Sequence, residues 1–384
     1  MKYCRLLIHL SLLLIAAGAV ATFFTADYGY IHLREGNGPA ATWRDGSNGT
    51  VLLLPFHIRL DSIEAAKPEI PAWLTIGHDG DATTKYSAVN KAVSSGSYIF
   101  IMRHADSDGH GAWLHVCNDP VGRPIVYSGY ALLVLSMLAC IIIRGKNPYF
   151  SRIKDNRRTS PPLWLCAVII TGALSRLAWR ANMTGAFPAV TLSDTFVLAS
   201  IPAIGLAVLF RHSEGLIPAS AFVIALASLA AAAAAGIPGN GFSPVLDNPL
   251  LGIHVCLVIC AYSLFAVITL CAIAGLMKSQ KEAAAMSGTQ IALLRIAVTS
   301  LTAGIITGSV WAGLSWGAYW SWDPKETWSL LCLLVYLIPL HGRYIPALRR
   351  RPKTLNVFLI ASFVLMLFLW FGVNRIFSGL HSYI

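Results

Sequence analysis

The stretch Trp316-Gly-Ala-Tyr-Trp-Ser-Trp-Asp-Pro-Lys-Glu-Thr-Trp328 places four tryptophans and a tyrosine within thirteen residues. Aromatic rings anchor at membrane–water interfaces, and Asp323, Pro324 and Glu326 fit the N-cap, first and third positions of a helix opening at that point. Both uses are structural. Anchoring does not call for this density of indoles, however. Trp316, Tyr319, Trp320, Trp322 and Trp328 together suit a flat, apolar, polarizable ligand such as a porphyrin, gripped by its faces and edges. A porphyrin iron takes axial ligands, most often imidazole, so the histidines at the level of this stretch become the next question.

The elements that must carry these residues follow from composition. Of 384 residues, 56% are apolar and only 12% charged, and mean hydropathy is +0.63, whereas a soluble domain carries roughly 25% charged residues. The chain is therefore a polytopic α-helical membrane protein, which excludes a cytosolic enzyme, a disordered regulator or a coiled coil. The first apolar run, Leu6 to Phe24, follows Lys2 and Arg5 and is expected to be a retained anchor with its N-terminus inside. Residues 1–24 thus form the first transmembrane helix. Residues 25–125 are polar and read as a small extracytoplasmic β-rich domain, with a strand at Val51 to Leu60 and a hairpin of Tyr98 to Arg103 and Ala112 to Val116. Residues 126–147 form the second span, and residues 148–384 supply the remainder. Apolar runs beginning near Val126, Leu163, Thr195, Leu216, Leu250, Ile291, Thr327 and Leu355 bring the total to about nine transmembrane helices. The tryptophan loop, residues 314–328, falls between the seventh and the eighth.

The net charge of +11 is a topology signal more than a sign of nucleic acid. Arg144, Lys146, Arg152, Lys154, Arg157, Arg158, Lys278, Lys281, Arg343, Arg349, Arg350, Arg351 and Lys353 collect on one side, against Arg180, Lys325 and Arg375 on the other. The positive-inside rule then places the N-terminus in the cytoplasm, with the tryptophan loop and the C-terminus outside.

Depth separates the eleven histidines. His32, His57, His78, His104, His110 and His115 fall in the outer domain and His212 in a short inner loop, where solvated or structural roles are the ordinary reading. The spacing of His104, His110 and His115 is not a zinc pattern. His254 and His381 stand at the level of the tryptophan loop, and His9 and His341 stand toward the inner face. An ionisable residue at such depth is a candidate functional group, the alternative for each being a histidine satisfied by helix packing. Seven of the eight cysteines lie in or beside apolar runs, leaving Cys117 without an intrachain partner in the polar region. No Cys-x-x-Cys-His occurs, so the chain carries no covalently bound haem of its own.

These residues resemble the System II cytochrome c biogenesis family, in the form of a CcsB–CcsA (ResB–ResC) fusion. The tryptophan loop resembles the WWD signature of its haem-handling component. Gly185-Ala-Phe-Pro-Ala resembles an outer segment of that family, which carries Arg where Ala186 stands. Gly252-Ile-His254-Val and Gly379-Leu-His381-Ser-Tyr resemble its two outer haem-ligand segments, and Leu340-His341-Gly-Arg343 its intramembrane histidine segment. Pro55-Phe-His-Ile-Arg-Leu60, Val89-Asn-Lys91 and Asn118 to Gly129 resemble the companion component, although only one span precedes the domain here.

The resemblance implies a holocytochrome c synthase of the haem-lyase type in a bacterial inner membrane. Haem b, as substrate, would pass His9 and His341 and then be held by His254 and His381 against Trp316, Tyr319, Trp320, Trp322, Asp323 and Trp328. Its partners would be apocytochromes c bearing Cys-x-x-Cys-His and a separate thiol reductant. The substrate brings the thiols, so no catalytic nucleophile is expected in this chain. Propionates need cations, for which Lys325, Arg375, Arg180 and Arg176 are the outer-side candidates. Two other readings stand beside this one: a haem exporter or chaperone without ligation activity, and a bis-histidine membrane cytochrome b in electron transfer.

Overall fold

The structure, a computed structural model, describes residues 2–78, 80–144, 161–185, 187–188, 191–211, 216–236 and 248–377. Among the described residues, eight helices are long and apolar enough to cross a membrane, and a β domain stands between the first two.

The helix α1 (Lys2–Thr25) carries the first apolar run and packs along α2 (Gly122–Arg144). The two backbones approach closely because glycines line the seam: a Cβ on Gly129 would stand 2.7 Å from Ile15 Cγ1, and one on Gly18 2.7 Å from Val126 Cγ2. This is the small-residue packing that lets helices associate in lipid. Between α1 and α2 run β1 (Asp27–Arg34), β2 (Ala40–Asp45), β3 (Val51–Ile63), β4 (Ala72–Gly77), β5 (Thr83–Ser87), β6 (Val93–Ser95), β7 (Tyr98–Ala105) and β8 (Gly111–Asn118). They form one antiparallel sheet in the order β5-β4-β3-β2-β1-β8-β7-β6. Its two end strands are consecutive in sequence, and Lys85 Nζ donates to the Ser94 carbonyl at 2.6 Å across them. Strand alternation buries Ile31 and Leu33 of β1, Ile58 and Leu60 of β3, Leu74 of β4 and Leu114 and Val116 of β8 in one core. Pro55, which cannot donate to a ladder, sits where the β2–β3 register jumps from Leu53↔Thr42 to Ile58↔Ala40.

The sheet ends at Asn118 and α2 begins at Gly122, several residues ahead of the expected boundary at 125 and helix start at Val126. Asp119 supplies the reason. Its Oδ1 accepts from Gly122 N at 2.9 Å, which opens the helix early, and Pro124 is tolerated in the first turn.

The remaining helices are α3 (Leu163–Thr184), α4 (Leu192–Leu209), α5 (Ile217–Ala234), α6 (Pro249–Leu276) and α7 (Gln280–Trp316). After them come α8 (Pro324–Leu337), a 3-10 segment Ile338–Tyr344, the short α9 (Pro346–Arg350) and α10 (Pro352–Leu367). The count differs from the expected nine at the eighth crossing. Residues from Thr327 onward do not form a long regular helix: α8 has 14 residues and gives way to seven residues of 3-10 helix, Pro339 standing at the change. The last span is also irregular, since α10 passes through a π-helical turn, Phe368–Gly372, into α11 (Val373–Ile376). The helical core is centred on α6 and α7, where Phe265 stacks on Tyr336 with centroids 3.7 Å apart and Ile268, Leu293, Leu301 and Leu359 are buried around them. With 37 residues, α7 is about 55 Å long, far more than a ~30 Å hydrocarbon layer. Its C-terminal end projects to the sheet, where Arg103 Nη2 donates to the Trp316 carbonyl at 3.2 Å. The tryptophan loop and the β domain therefore lie on one side of the helical bundle. His212 and the basic residues Lys146, Arg152, Lys154, Arg157 and Arg158 lie outside the described residues.

Candidate functional site

Gly317 ends α7 in the left-handed region at φ +89°, as helix C-termini commonly do. The irregular loop is thus Gly317–Asp323, shorter than the expected 314–328, because helix claims both ends. Asp323 N-caps α8, with its carboxylate accepting from Lys325 N at 2.9 Å, while Glu326 accepts from Ser321 N at 2.8 Å and from Asp323 N at 3.3 Å. This reciprocal capping box is the structural role that Asp323, Pro324 and Glu326 suggested.

Next to the loop lies a cavity of about 380 Å³, within the range of about 300–1,000 Å³ typical of ligand and cofactor sites. Of the candidate residues, His254, Tyr319 and Trp320 line it, together with Trp311, Trp370 and Phe371. His254 stands one turn into α6, and its Nδ1 lies 2.7 Å from the Gly304 carbonyl on α7. A carbonyl only accepts, so Nδ1 carries the proton and the lone pair is on Nε2. Room for the ring comes from Gly308, since a Cβ there would meet Nδ1 at 2.6 Å and Cε1 at 2.7 Å.

Trp316, Trp322 and Trp328 do not line the cavity. Trp316 packs edge-on against Trp311 at 4.9 Å and Trp322 against Trp320 at 5.8 Å, each backing a wall residue. Trp322 is 70% exposed and sits at φ +58°, an unusual backbone for a bulky side chain. Trp328 packs on Phe368 at 4.8 Å, beneath the π-helical turn that brings Trp370 and Phe371 to the cavity. Sequence reasoning missed Trp311, Trp370 and Phe371. The available signal was the Gly304-x-x-x-Gly308 spacing, which marks close helix approach beside His254.

The cationic candidates divide. Lys325 and Arg375 line the cavity. Arg180 is buried with its Nε 3.5 Å from Asp194 Oδ2, and Arg176 donates to Ser193 Oγ at 2.6 Å; these two are engaged between α3 and α4. His341 is exposed on the 3-10 segment, its Nδ1 donating to the Leu337 carbonyl at 3.0 Å. His9 is exposed on α1, whose packing partner is α2, whereas the 3-10 segment packs on α7, α8 and α9. Nothing in the described packing joins His9 to His341. His381 lies outside the described residues.

The β domain reaches the loop from the other side. Gly317 is seated on β7 and β8, where a Cβ would stand 2.9 Å from His115 Cδ2 and 3.1 Å from Ile101 Cδ1. Burial, with the charge of Arg103 adding to it, pushes the His115 pKa down to about 4, so it is neutral at pH 7. Cys117 is buried, donates to the Gly317 carbonyl at 3.1 Å and accepts from Arg123 Nη2 at 2.8 Å. Burial raises its thiol pKa to about 11, which makes it inert.

Residues 163–381 match the family model described as cytochrome C assembly protein. The chain is also similar to proteins named cytochrome c biogenesis protein CcsA. It is 46% identical to that of Coffea arabica over 85 residues, 22% of this chain and 25% of the relative. It is 49% identical to that of Synechococcus sp. (strain CC9605) over 84 residues, 22% of this chain and 27% of the relative. For Prochlorococcus marinus (strain NATL1A) the figures are 48% over 84 residues, 22% and 26%. The chain thus spans about a quarter of the length of the curated relatives it matches.

Proposed function

Since the chain belongs to the cytochrome c assembly protein family, we propose that its cavity takes haem as a substrate and presents it to the Cys-x-x-Cys-His segment of an apocytochrome c. The observation that carries this reading is His254 at the cavity wall, its ring fixed by the Gly304 carbonyl and given space by Gly308. The other residues fit the same group. Tyr319, Trp320 and Trp370 offer aromatic faces and edges, and Lys325 and Arg375 offer cations for two propionates. In this reading Nε2 of His254 takes the iron of haem b, with His381 as the second axial ligand, and His9 and His341 serve entry from the opposite side.

Haem supplies the vinyl groups to which the apocytochrome thiols add. The chain's own residues bind and orient it and keep water away, and the thiols come with the apocytochrome after a separate reductant has acted on them. That makes the protein a holocytochrome c synthase of the haem-lyase type. The Lys and Arg asymmetry supports a cytoplasmic N-terminus and an extracytoplasmic C-terminus, with the β domain outside beside the tryptophan loop, and the membrane in this reading is a bacterial inner membrane.

The test is His254→Gly in the full chain, purified from cells and assayed with an exported apocytochrome reporter. Loss of haem from the membrane protein and of haem attached to the reporter after denaturing electrophoresis is expected, with partial return when imidazole is added to refill the vacated position. An unchanged spectrum and unchanged attachment in this variant would show that the cavity is not the site. Haem retained by the unmodified protein with none attached to the reporter would favour a haem exporter or a membrane cytochrome b instead.

A further inference from the structure

The tryptophan loop is held by residues that lie outside the family match. Four of the five residues from Ser315 to Tyr319 bond to the front of the chain. Ser315 Oγ donates to Asn90 Oδ1. The Trp316 carbonyl accepts from Arg103 Nη2 at 3.2 Å, and the Gly317 carbonyl accepts from the Cys117 thiol at 3.1 Å. Tyr319 OH donates to Thr22 Oγ1 at 2.8 Å, and Thr22 Oγ1 donates to Asp119 Oδ2 at 2.7 Å.

The last of these bonds forms a directed chain. Each hydroxyl donates to the next group, Tyr319 to Thr22 and Thr22 to the Asp119 carboxylate. The same carboxylate accepts from Gly122 N at 2.9 Å, which ties the end of α1, the start of α2 and the loop to one group. Asp119 is 2% exposed and Tyr319 9%, with Thr22 half-buried between them, so water competes little at the two ends of the chain. On its other edge Tyr319 is fixed through its carbonyl, which accepts from Ser309 Oγ at 2.5 Å, and Ser309 pairs with Tyr130 OH of α2 at 2.9 Å. Tyr319 and Ser309 line the cavity, whereas Thr22, Asp119 and Tyr130 do not. The front residues thus bond to lining residues, Thr22 to Tyr319 of the loop and Tyr130 to Ser309 of α7, without lining the cavity themselves.

We infer that Thr22 and Asp119 are positioning residues for the cavity: they hold Tyr319 by its phenol, so that the front of the chain sets where the tryptophan loop stands over His254. This rests on the reading of the cavity as the haem site. A polypeptide docking on the β domain would then meet a sheet mechanically continuous with the loop, through Arg103, Cys117 and Asn90.

The test is a double-mutant cycle in the full chain with Thr22→Val and Tyr319→Phe, and Thr22→Ser as the conservative control. Haem retained at limiting supply and the reduced spectrum are read for each. Each single variant should retain about three- to tenfold less haem, the range for one hydrogen bond. The double variant should be no worse than either single one, and Thr22→Ser should match the unmodified protein. Losses that multiply, normal retention in Thr22→Val, or a Thr22→Ser variant as poor as Thr22→Val would overturn the inference. If the unmodified protein takes up no haem, the reading of the cavity fails and the inference is judged on indole quenching by acrylamide in the haem-free chain. Increased quenching in Thr22→Val but not in Thr22→Ser supports it, and equal quenching in all variants refutes it.

Discussion

Gly308 of α7 lies directly under the imidazole of His254 of α6, so close that a Cβ there would stand 2.6 Å from Nδ1. That Nδ1 is the atom held by the Gly304 carbonyl at 2.7 Å. The two glycines, one helical turn apart, therefore set both the position and the tautomer of the ring. Gly308→Ala should push His254 off this bond and lower haem retention more than tenfold, while the helix itself gains about 1 kcal/mol of propensity. Gly172→Ala and Gly205→Ala, where an added Cβ meets nothing within 4 Å, are the controls. Retention in Gly308→Ala equal to theirs would separate the glycine from the histidine.

Asp323→Ala should act on stability first. It removes the acceptor of Lys325 N and half of a capping box, a loss of about 1 kcal/mol that a thermal melt in detergent can read. Glu326→Ala should cost at least as much, because Glu326 serves both Ser321 N and Asp323 N. If either variant loses haem out of proportion to its melting shift, the carboxylate has a role beyond the cap.

This box was legible in the sequence because its members are neighbours: Asp323, Pro324 and Glu326 form a local pattern with a local consequence. The tryptophan cluster and the depth of His254 were legible for the same reason, one through density and one through its place in an apolar run. What escaped was non-local or irregular. Tyr319 and Thr22 are 297 residues apart, and no periodicity reports such a bond. Trp370 and Phe371 reach the cavity from a π-helical turn, where a regular 3.6-residue period misassigns the face. The apolar residues after Thr327 run on without a break, and nothing in that pattern reports that the α-helix gives way to a 3-10 segment where Pro339 stands.

Acid should loosen the β domain from the loop through His115. Its pKa is about 4 in the fold against about 6.5 unfolded, so between these values the unfolded chain binds the extra proton. The stability linked to a neutral His115 is fully present above pH 6.5 and is lost as pH falls toward 4. Asp106 and Asp108, whose pKa values are lowered by His32 and Arg34 respectively, lose stability at still lower pH, whereas the Glu35-paired His110 has a raised pKa and loses its contribution as pH rises. The difference between the unmodified chain and His115→Gln isolates the one group. Melting temperature should fall more steeply from pH 6.5 to 4 in the unmodified chain, and parallel curves would remove His115 from the account.

Trp322 allows strain and contact to be separated. Its φ of +58° costs a residue with a Cβ about 1–2 kcal/mol, which glycine does not incur. Its indole meets Trp320 edge-on at 5.8 Å, a contact worth about 0.5–1.5 kcal/mol. Trp322→Ala loses the contact and keeps the strain, and Trp322→Gly loses both. The Gly variant should therefore melt above the Ala variant, and both should retain less haem than the unmodified chain to the same degree, since Trp320 loses its backing in each. Equal melting temperatures would show that the loop relaxes around position 322 once the indole is gone, and haem retention that differs between the two variants would mean that the backbone turn itself, more than the ring, supports the cavity wall.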